Sequence, residues 1–318
     1  MTKIHIGIDI GGTSIKIGFI DQVGQIIHKW EIPTRKEESG IHIVQDIRDS
    51  IVEKQIALSI DDNQFVGIGV GAPGFIDHKR GTVHAVNIGW TDYQLKQCVQ
   101  EKFNLPVWIE NDANMAVLGE NWRGAGNGEE NVMLITLGTG VGGGVIANGE
   151  LLRGESGAAS EIGHVTVERN GVTCNCGREG CLETIASATG MVRQAKETID
   201  KHPQSHMAQF YRKNKAISVK DLFSLAEQGE QLSQQIIDNT TNVLATAIQN
   251  MATLINPSRI LIGGGVSNAG EALLKPLRDK FIAKALPRIS KPCELKSAEL
   301  GNDAGIIGAA YVVLVHSK

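Results

Sequence analysis

Three groups of side chains in this sequence have the types and spacing to do chemistry. The densest is His164, Cys174, Cys176 and Cys181, which offers one nitrogen and three sulfurs. That donor set suits tetrahedral zinc. Gly171, Gly177 and Gly180 would let the intervening chain fold tightly around an ion. A disulfide such as Cys174–Cys181, or buried free thiols, would use the same residues. Five cysteines, three of them within eight positions, suit a reducing compartment and a metal better than a disulfide framework. Four protein ligands leave no position for water, so zinc here would be structural rather than hydrolytic. Cys98, in a helical stretch, and Cys293, near a strand start, read as packing residues.

The second group is a set of glycine turns. Asp9-Ile10-Gly11-Gly12-Thr13-Ser14-Ile15-Lys16 has no large side chain at its bend. Backbone N–H groups can face an anion there, Thr13 can donate a hydroxyl, and Asp9 can face a metal ion through water. A plain hairpin explains the segment equally well. Gly138-Thr139-Gly140-Val141-Gly142-Gly143-Gly144 contains the dinucleotide string G-x-G-x-x-G, but a strand and the Asn148-Gly149 hairpin follow where a helix is required. No G-x-x-x-x-G-K-[ST] run occurs, which excludes a P-loop. What remains is a strand–turn–strand phosphate cradle, used twice. Gly263-Gly264-Gly265-Val266-Ser267 lies between a strand and a helix, either as an ordinary connection or as a close backbone approach to a nucleotide's base and ribose.

The third group is Glu110-Asn111-Asp112-Ala113-Asn114, where a strand gives way to a helix. Asp112 there is a natural N-cap. The same position suits a base that accepts a hydroxyl proton as the oxygen attacks phosphorus, with Asn111 holding neighbouring groups of the alcohol.

The elements that must position these groups read as alternating strands and helices. Ile4–Ile10 and Ser14–Ile20 pair around the first turn, and Gln25–Ile32 offers a third strand. Ile41, Val44, Ile47, Ile51 and Val52 form a helical stripe. Phe65–Val70 and Val107–Ile109 are strands, and Asp92–Phe103 reads as a helix capped by Asp92. Val132–Leu137 begins a second strand–turn–strand pattern. Helices follow near Ser187, Val219 and Glu230, then the strand Arg259–Ile262 and helices over Asn268–Ala285 and Ala304–Val315. The last is apolar almost all round and should be buried. The polar segment Gly124–Asn131 is the best candidate for a boundary. The two patterns, Ile8–Ile17 and Leu134–Val145, are compatible with two similar α/β domains and a cleft between them.

Composition narrows the classes. The chain has 318 residues, with 31 basic and 35 acidic side chains and a net charge of −4. That balance argues against a nucleic-acid surface, and the compact basic run Arg212-Lys213-Asn214-Lys215 reads as a solvated loop or helix end. Glycine, at 37 residues, is in excess and aromatics are only 4%, as expected where backbone approaches ligands closely. No secretory signal or membrane-spanning run is read, so a cytoplasmic location is expected.

These motifs resemble the ROK family of sugar kinases and repressors, most closely its bacterial glucokinases, over essentially the whole chain. The resemblance rests on the Asp9–Lys16, Glu110–Asn114 and Leu137–Gly144 segments. Glu161-Ile162-Gly163-His164, Cys174-Asn175-Cys176-Gly177-Arg178-Glu179-Gly180-Cys181-Leu182-Glu183, and Ile255-Asn256-Pro257 through Ser267 extend it. It implies a two-domain actin-like ATPase fold of duplicated ribonuclease-H-like sheets with an interdomain cleft: residues 1–118 with 300–318, and 119–299 carrying the zinc loop. It implies ATP with Mg²⁺ at Asp9, Gly11, Gly12, Thr13, Lys16, Gly138, Thr139, Gly140, Gly263, Gly264, Gly265 and Val266. Asp112 would be the general base. Asn111, Asp112, Glu161, His164 and Glu183 would hold the sugar, with Gly71, Ala72, Pro73, Gly74 and Asn87 closing around it and Glu155 also touching it. Structural zinc would sit on His164, Cys174, Cys176 and Cys181, fixing the imidazole so that its other nitrogen faces a sugar oxygen.

Ser160 stands where the family often has glycine. The implied activity is transfer of the ATP γ-phosphoryl group to the 6-hydroxyl of glucose by a homodimer. N-acetylglucosamine, N-acetylmannosamine and fructose are the alternative acceptors. A sugar-sensing repressor fits less well, because the first phosphate turn begins by residue 9 and leaves no room for a helix-turn-helix domain before it.

Overall fold

The computed structural model describes residues 2–317. They fall into two compact units: residues 2–129 with 144–159 and 299–317, and residues 130–143 with 160–298.

In the first unit β1 (Ile4–Ile10) and β2 (Ser14–Asp21) form an antiparallel pair with Asp9 opposite Lys16. β3 (Ile26–Pro33) continues it on the β2 side. After β4 (Phe65–Ala72) come three short strands, β5 (Phe75–Asp77), β6 (Thr82–Ala85) and β7 (Trp90–Tyr93), which form a sheet of their own. β8 (Val107–Asn111) then returns to the main sheet, giving the order β3-β2-β1-β4-β8 with β4 and β8 parallel to β1. One face of this sheet is isoleucine-rich and packs against Ile43, Val44, Ile47 and Ile51 of the helix Ile43–Ala57 and Leu95 and Val99 of the helix Leu95–Phe103.

The other face takes the helix Ala304–His316, which packs on β1, β4 and the helix Asp112–Arg123. Small residues permit this approach: a Cβ on Gly69 would stand 2.0 Å from the Ala309 carbonyl oxygen, and one on Gly308 only 1.8 Å from that of Met115. Nine of the thirteen residues of that helix are buried, as its apolar circumference predicts.

The second sheet contains β9 (Val132–Leu137), β10 (Val141–Ala147), β11 (Glu150–Leu151), β12 (Arg259–Gly263) and β13 (Glu294–Ser297). Its order is β11-β10-β9-β12-β13, with β12 parallel to both β9 and β13. Counted from its own first strand, each sheet runs third, second, first, fourth, fifth. The repeated strand–turn–strand motif is thus the opening of a repeated topology. Asn148 and Gly149, at φ 53 and 78, make the tight turn their sequence predicts.

The helices of the second unit start at polar caps. Ser187 accepts from the Gly190 N–H, Ser218 forms a capping box with Asp221, and Glu230 accepts from the Ser233 N–H. The Arg212–Lys215 run closes the helix His206–Asn214, with Lys215 at φ 60.

The helix expected over Asp92–Phe103 begins later, at Leu95. Trp90–Tyr93 is strand, pairing Ala85 with Trp90 and Val83 with Tyr93, and buried Trp90 stacks on Tyr93 with centroids 4.6 Å apart. Asp92 reads as an N-cap in the sequence, but here it lies within a strand. Asp92, at φ 48, has no capping role. Among the described residues no helix is long and apolar enough to cross a membrane.

Candidate active site and metal centre

In the first unit the sheet register lines up four site positions. Lys16 lies opposite Asp9, Asp9 pairs with Gly71, and Gly71 pairs with Glu110. The row runs across β2, β1, β4 and β8 where β1, β4 and β8 end. Strand ends of this kind are where α/β proteins place ligands. Lys16 Nζ is 3.9 Å from Asp9 Oδ2. Burial pushes the Asp9 carboxyl up from its ordinary value, and the Lys16 charge opposes that only in part. Such a group gains from a cation nearby.

Beyond the row, Asn111 rather than Asp112 caps the helix. Asn111 Oδ1 accepts from the N–H groups of Ala113 (2.9 Å) and Asn114 (3.2 Å), and its Nδ2 donates to the Gly74 carbonyl oxygen at 3.1 Å. The Gly71–Gly74 segment is therefore fastened beside the Asn-Asp pair. Asp112 is the first helical residue, half-buried, and its Oδ1 accepts from the Ala113 N–H at 2.8 Å.

Behind Asp112 lies a member of the Glu110–Asn114 segment to which the sequence gives no role. Glu110 is 1% exposed. Its Oε2 accepts from Arg153 Nε at 2.6 Å, and its Oε1 from the Asn111 N–H (2.9 Å) and Asn114 Nδ2 (3.1 Å). His78 Nε2 is 3.5 Å away. Burial alone would raise this carboxyl, but the hydrogen bond and charge of His78, with the Asn111 N–H and the Asn114 amide, hold it down at about 2. Glu155, by contrast, is exposed and paired with Lys79 at 3.7 Å. Asn87 is also exposed, in the turn after β6.

In the second unit, the Gly138–Gly144 turn is pinned to the start of the helix Ala188–Lys201. The Ala188 N–H donates to the Gly138 carbonyl oxygen (2.8 Å) and Thr189 Oγ1 to that of Thr139 (2.7 Å). Thr139, Gly265 and Val266 line one cavity of about 690 Å³, which brings two of the predicted nucleotide loops together. Its largely apolar wall also uses Val192, Ile217 and Val219, together with Lys196. No motif marks these residues. Glu183 Oε2 accepts from the Val141 N–H at 3.0 Å, so this carboxylate also steadies the turn. Glu161 feels both His164 and Glu183, and its carboxyl is raised chiefly by burial.

The four donor atoms of His164, Cys174, Cys176 and Cys181 all lie within 4.8 Å of one another. His164 Nδ1 is 3.7 Å from Cys174 Sγ, and Cys176 Sγ is 3.7 Å from Cys181 Sγ. Zinc–sulfur bonds of about 2.3 Å at tetrahedral angles require sulfurs about 3.8 Å apart. The cluster fits zinc in donor type, number and spacing. The loop is shaped by its own backbone, with the Cys174 N–H donating to the Arg178 carbonyl oxygen at 2.7 Å and Arg178 donating to that of His164. Burial pushes the Cys174 thiol up to about 12 and raises Cys181, whereas the Arg178 backbone N–H pulls Cys176 down to about 6.

Residues 5–316 match the ROK family. The chain belongs to the ROK family. Among its ROK relatives, a glucokinase of Halalkalibacterium halodurans is 48% identical over 97% of this chain and 94% of that one. A glucokinase of Thermotoga maritima is 37% identical over 97% and 96%. The crystal structure of a ROK glucokinase from Streptomyces griseus, in complex with glucose and AMPPNP, superposes with a TM-score of 0.80 at 36% identity, covering 97% of this chain and 98% of that one. The fold is the actin-like ATPase fold of the ROK sugar kinases.

Proposed function

We propose that this ROK protein is an ATP-dependent glucokinase that transfers the γ-phosphoryl group of MgATP to the 6-hydroxyl of glucose. The observation that carries the reading is the 48% identity to a glucokinase over 97% of the chain. The local chemistry agrees with it. Asp112, oriented by the Ala113 N–H, takes the proton from the 6-hydroxyl as that oxygen attacks phosphorus. Asn111 holds the neighbouring sugar hydroxyls together with Glu161, His164 and Glu183. Asp9 faces the Mg²⁺ of the nucleotide, and the two glycine turns present backbone N–H groups to its phosphates. The cavity at Thr139, Gly265 and Val266 takes the nucleoside. Positioning and neutralisation of charge supply most of the rate, as in other phosphoryl transfers.

Zinc on His164, Cys174, Cys176 and Cys181 supplies a structural cross-link for the loop. His164 turns Nδ1 to the sulfurs and keeps Nε2 for a sugar hydroxyl. A coupled assay with ATP across glucose, mannose, fructose, N-acetylglucosamine and N-acetylmannosamine tests the reading. Glucose should give the highest kcat/KM; a higher value for fructose or an N-acetyl hexosamine would replace it.

A further inference from the structure

The first glycine turn has an ammonium over it that the reading above leaves unused. The end of β3 is stapled to that turn: the Thr34 N–H donates to the Thr13 carbonyl oxygen at 3.0 Å, and Thr34 Oγ1 to that of Gly11 at 2.8 Å. Two residues on, Lys36 is carried across the turn. The Cβ side of Gly12 is bounded by two nitrogens. A Cβ built there would lie 3.6 Å from Asn87 Nδ2 and 3.7 Å from Lys36 Nζ. The preceding residue, Arg35, is bound to Asp46, with Nε 2.6 Å from Oδ2. The Lys36 ammonium makes no ion pair or hydrogen bond among the described residues. Lys16, at the start of β2 after the turn, is 3.9 Å from Asp9. Two ammonium groups and an amide donor therefore gather around this glycine turn beside the Asp9 carboxylate. That is the environment of a phosphoryl group, and a compact ammonium with three donors suits its oxygens.

We propose that Lys36 is a catalytic residue, its ammonium binding the transferred phosphoryl group against Gly12 and Asn87. The assignment rests on the kinase reading above. In the transfer the sugar O6–phosphorus bond forms as the bond from phosphorus to the β,γ-bridging oxygen breaks. ADP leaves with that electron pair, and the O6 proton passes to Asp112. Lys36 keeps its protons throughout and balances charge on the oxygens that move.

The test compares wild type, Lys36→Met and Lys36→Arg by steady-state kinetics, thermal melting, and calorimetric titration with MgATP and MgADP. Lys36→Met should lower kcat by about 10²-fold while leaving KM for glucose and the melting temperature nearly unchanged. Lys36→Arg should recover part of the loss. The wild type should bind MgATP more tightly than MgADP, and the methionine variant should lose that preference. A methionine variant with wild-type kcat overturns the proposal while leaving the kinase reading intact. If the wild type turns over no hexose, the kinase reading fails. The titration then decides for Lys36: an ATP preference that survives in Lys36→Met overturns the assignment, and its loss supports phosphoryl binding there.

Discussion

Arg153 Nε donates to Glu110 Oε2 at 2.6 Å, two residues before the proposed base Asp112. Arg153 comes from the 152–159 loop and His78 from the turn after β5, so one buried carboxylate holds two loops and the strand–helix junction together. Glu110 should therefore be needed as an anion. Its carboxyl is held at about 2 against an ordinary 4.5. A depressed carboxyl stabilises the fold fully above the unfolded value and loses that contribution as pH falls towards the folded one. Glu110→Gln should cost about 3 kcal/mol in denaturant unfolding at pH 7, since it leaves Arg153 and His78 without their counter-charge around a buried site. The gap from wild type should narrow as pH falls from 4.5 towards 2. A constant gap across that window would contradict the electrostatic account.

Asp112→Asn removes the proposed proton acceptor and preserves its shape. We expect kcat to fall by about 10²–10⁴-fold with glucose binding, read by calorimetry, largely retained. Near-normal turnover would move the base elsewhere.

Purified protein should contain about one zinc per chain by elemental analysis. Because thiols must lose their protons to bind, chelation should become easier as pH falls. Removal of the metal, or Cys176→Ser, should lower the melting temperature and raise KM for the sugar through the loosened His164. Metal-free protein that melts and phosphorylates normally would end the structural role.

Ser160 adopts φ 68, and its Oγ is buried without a partner. A non-glycine residue in the left-handed region costs about 1–2 kcal/mol, of which glycine gives back part as chain entropy. Ser160→Gly should therefore raise stability by up to about 1 kcal/mol with activity kept. A loss of stability would mean that the serine side chain contributes through packing.

What could be read in the sequence was local. The Gly11-Gly12 and Gly138–Gly144 turns, the cysteine spacing and the Asn111-Asp112 junction each announce themselves within a few residues, and the strands beside them alternate cleanly. The five strands of the first sheet can be read in this way, whereas β13 of the second is marked only by a strand start near Cys293. The short sheet β5–β7 is not marked, because three- and four-residue strands carry too little pattern and Asp92 reads as a helix cap. The expected cap, Asp112, gives way to Asn111, because both are good capping residues and only coordinates show which turns back. Lys36, Arg153 and His78 were invisible for a different reason. Each matters through a partner distant in sequence, and an isolated basic residue in a loop looks the same whether it meets solvent, a carboxylate or a phosphate.

The helix Ala304–His316 has a consequence for synthesis on the ribosome. It covers one face of a sheet whose first strands are made some three hundred residues earlier. Until it emerges, Ile306, Ile307 and Ala310 are missing from their contact with Ile20, and that face of β1 and β4 stays open to water. The second unit, drawn chiefly from residues 160–298, is in hand before then. The nascent chain thus completes its later-encoded unit first, and the earliest-made strands wait longest for their partner, exposed to chaperones and to one another.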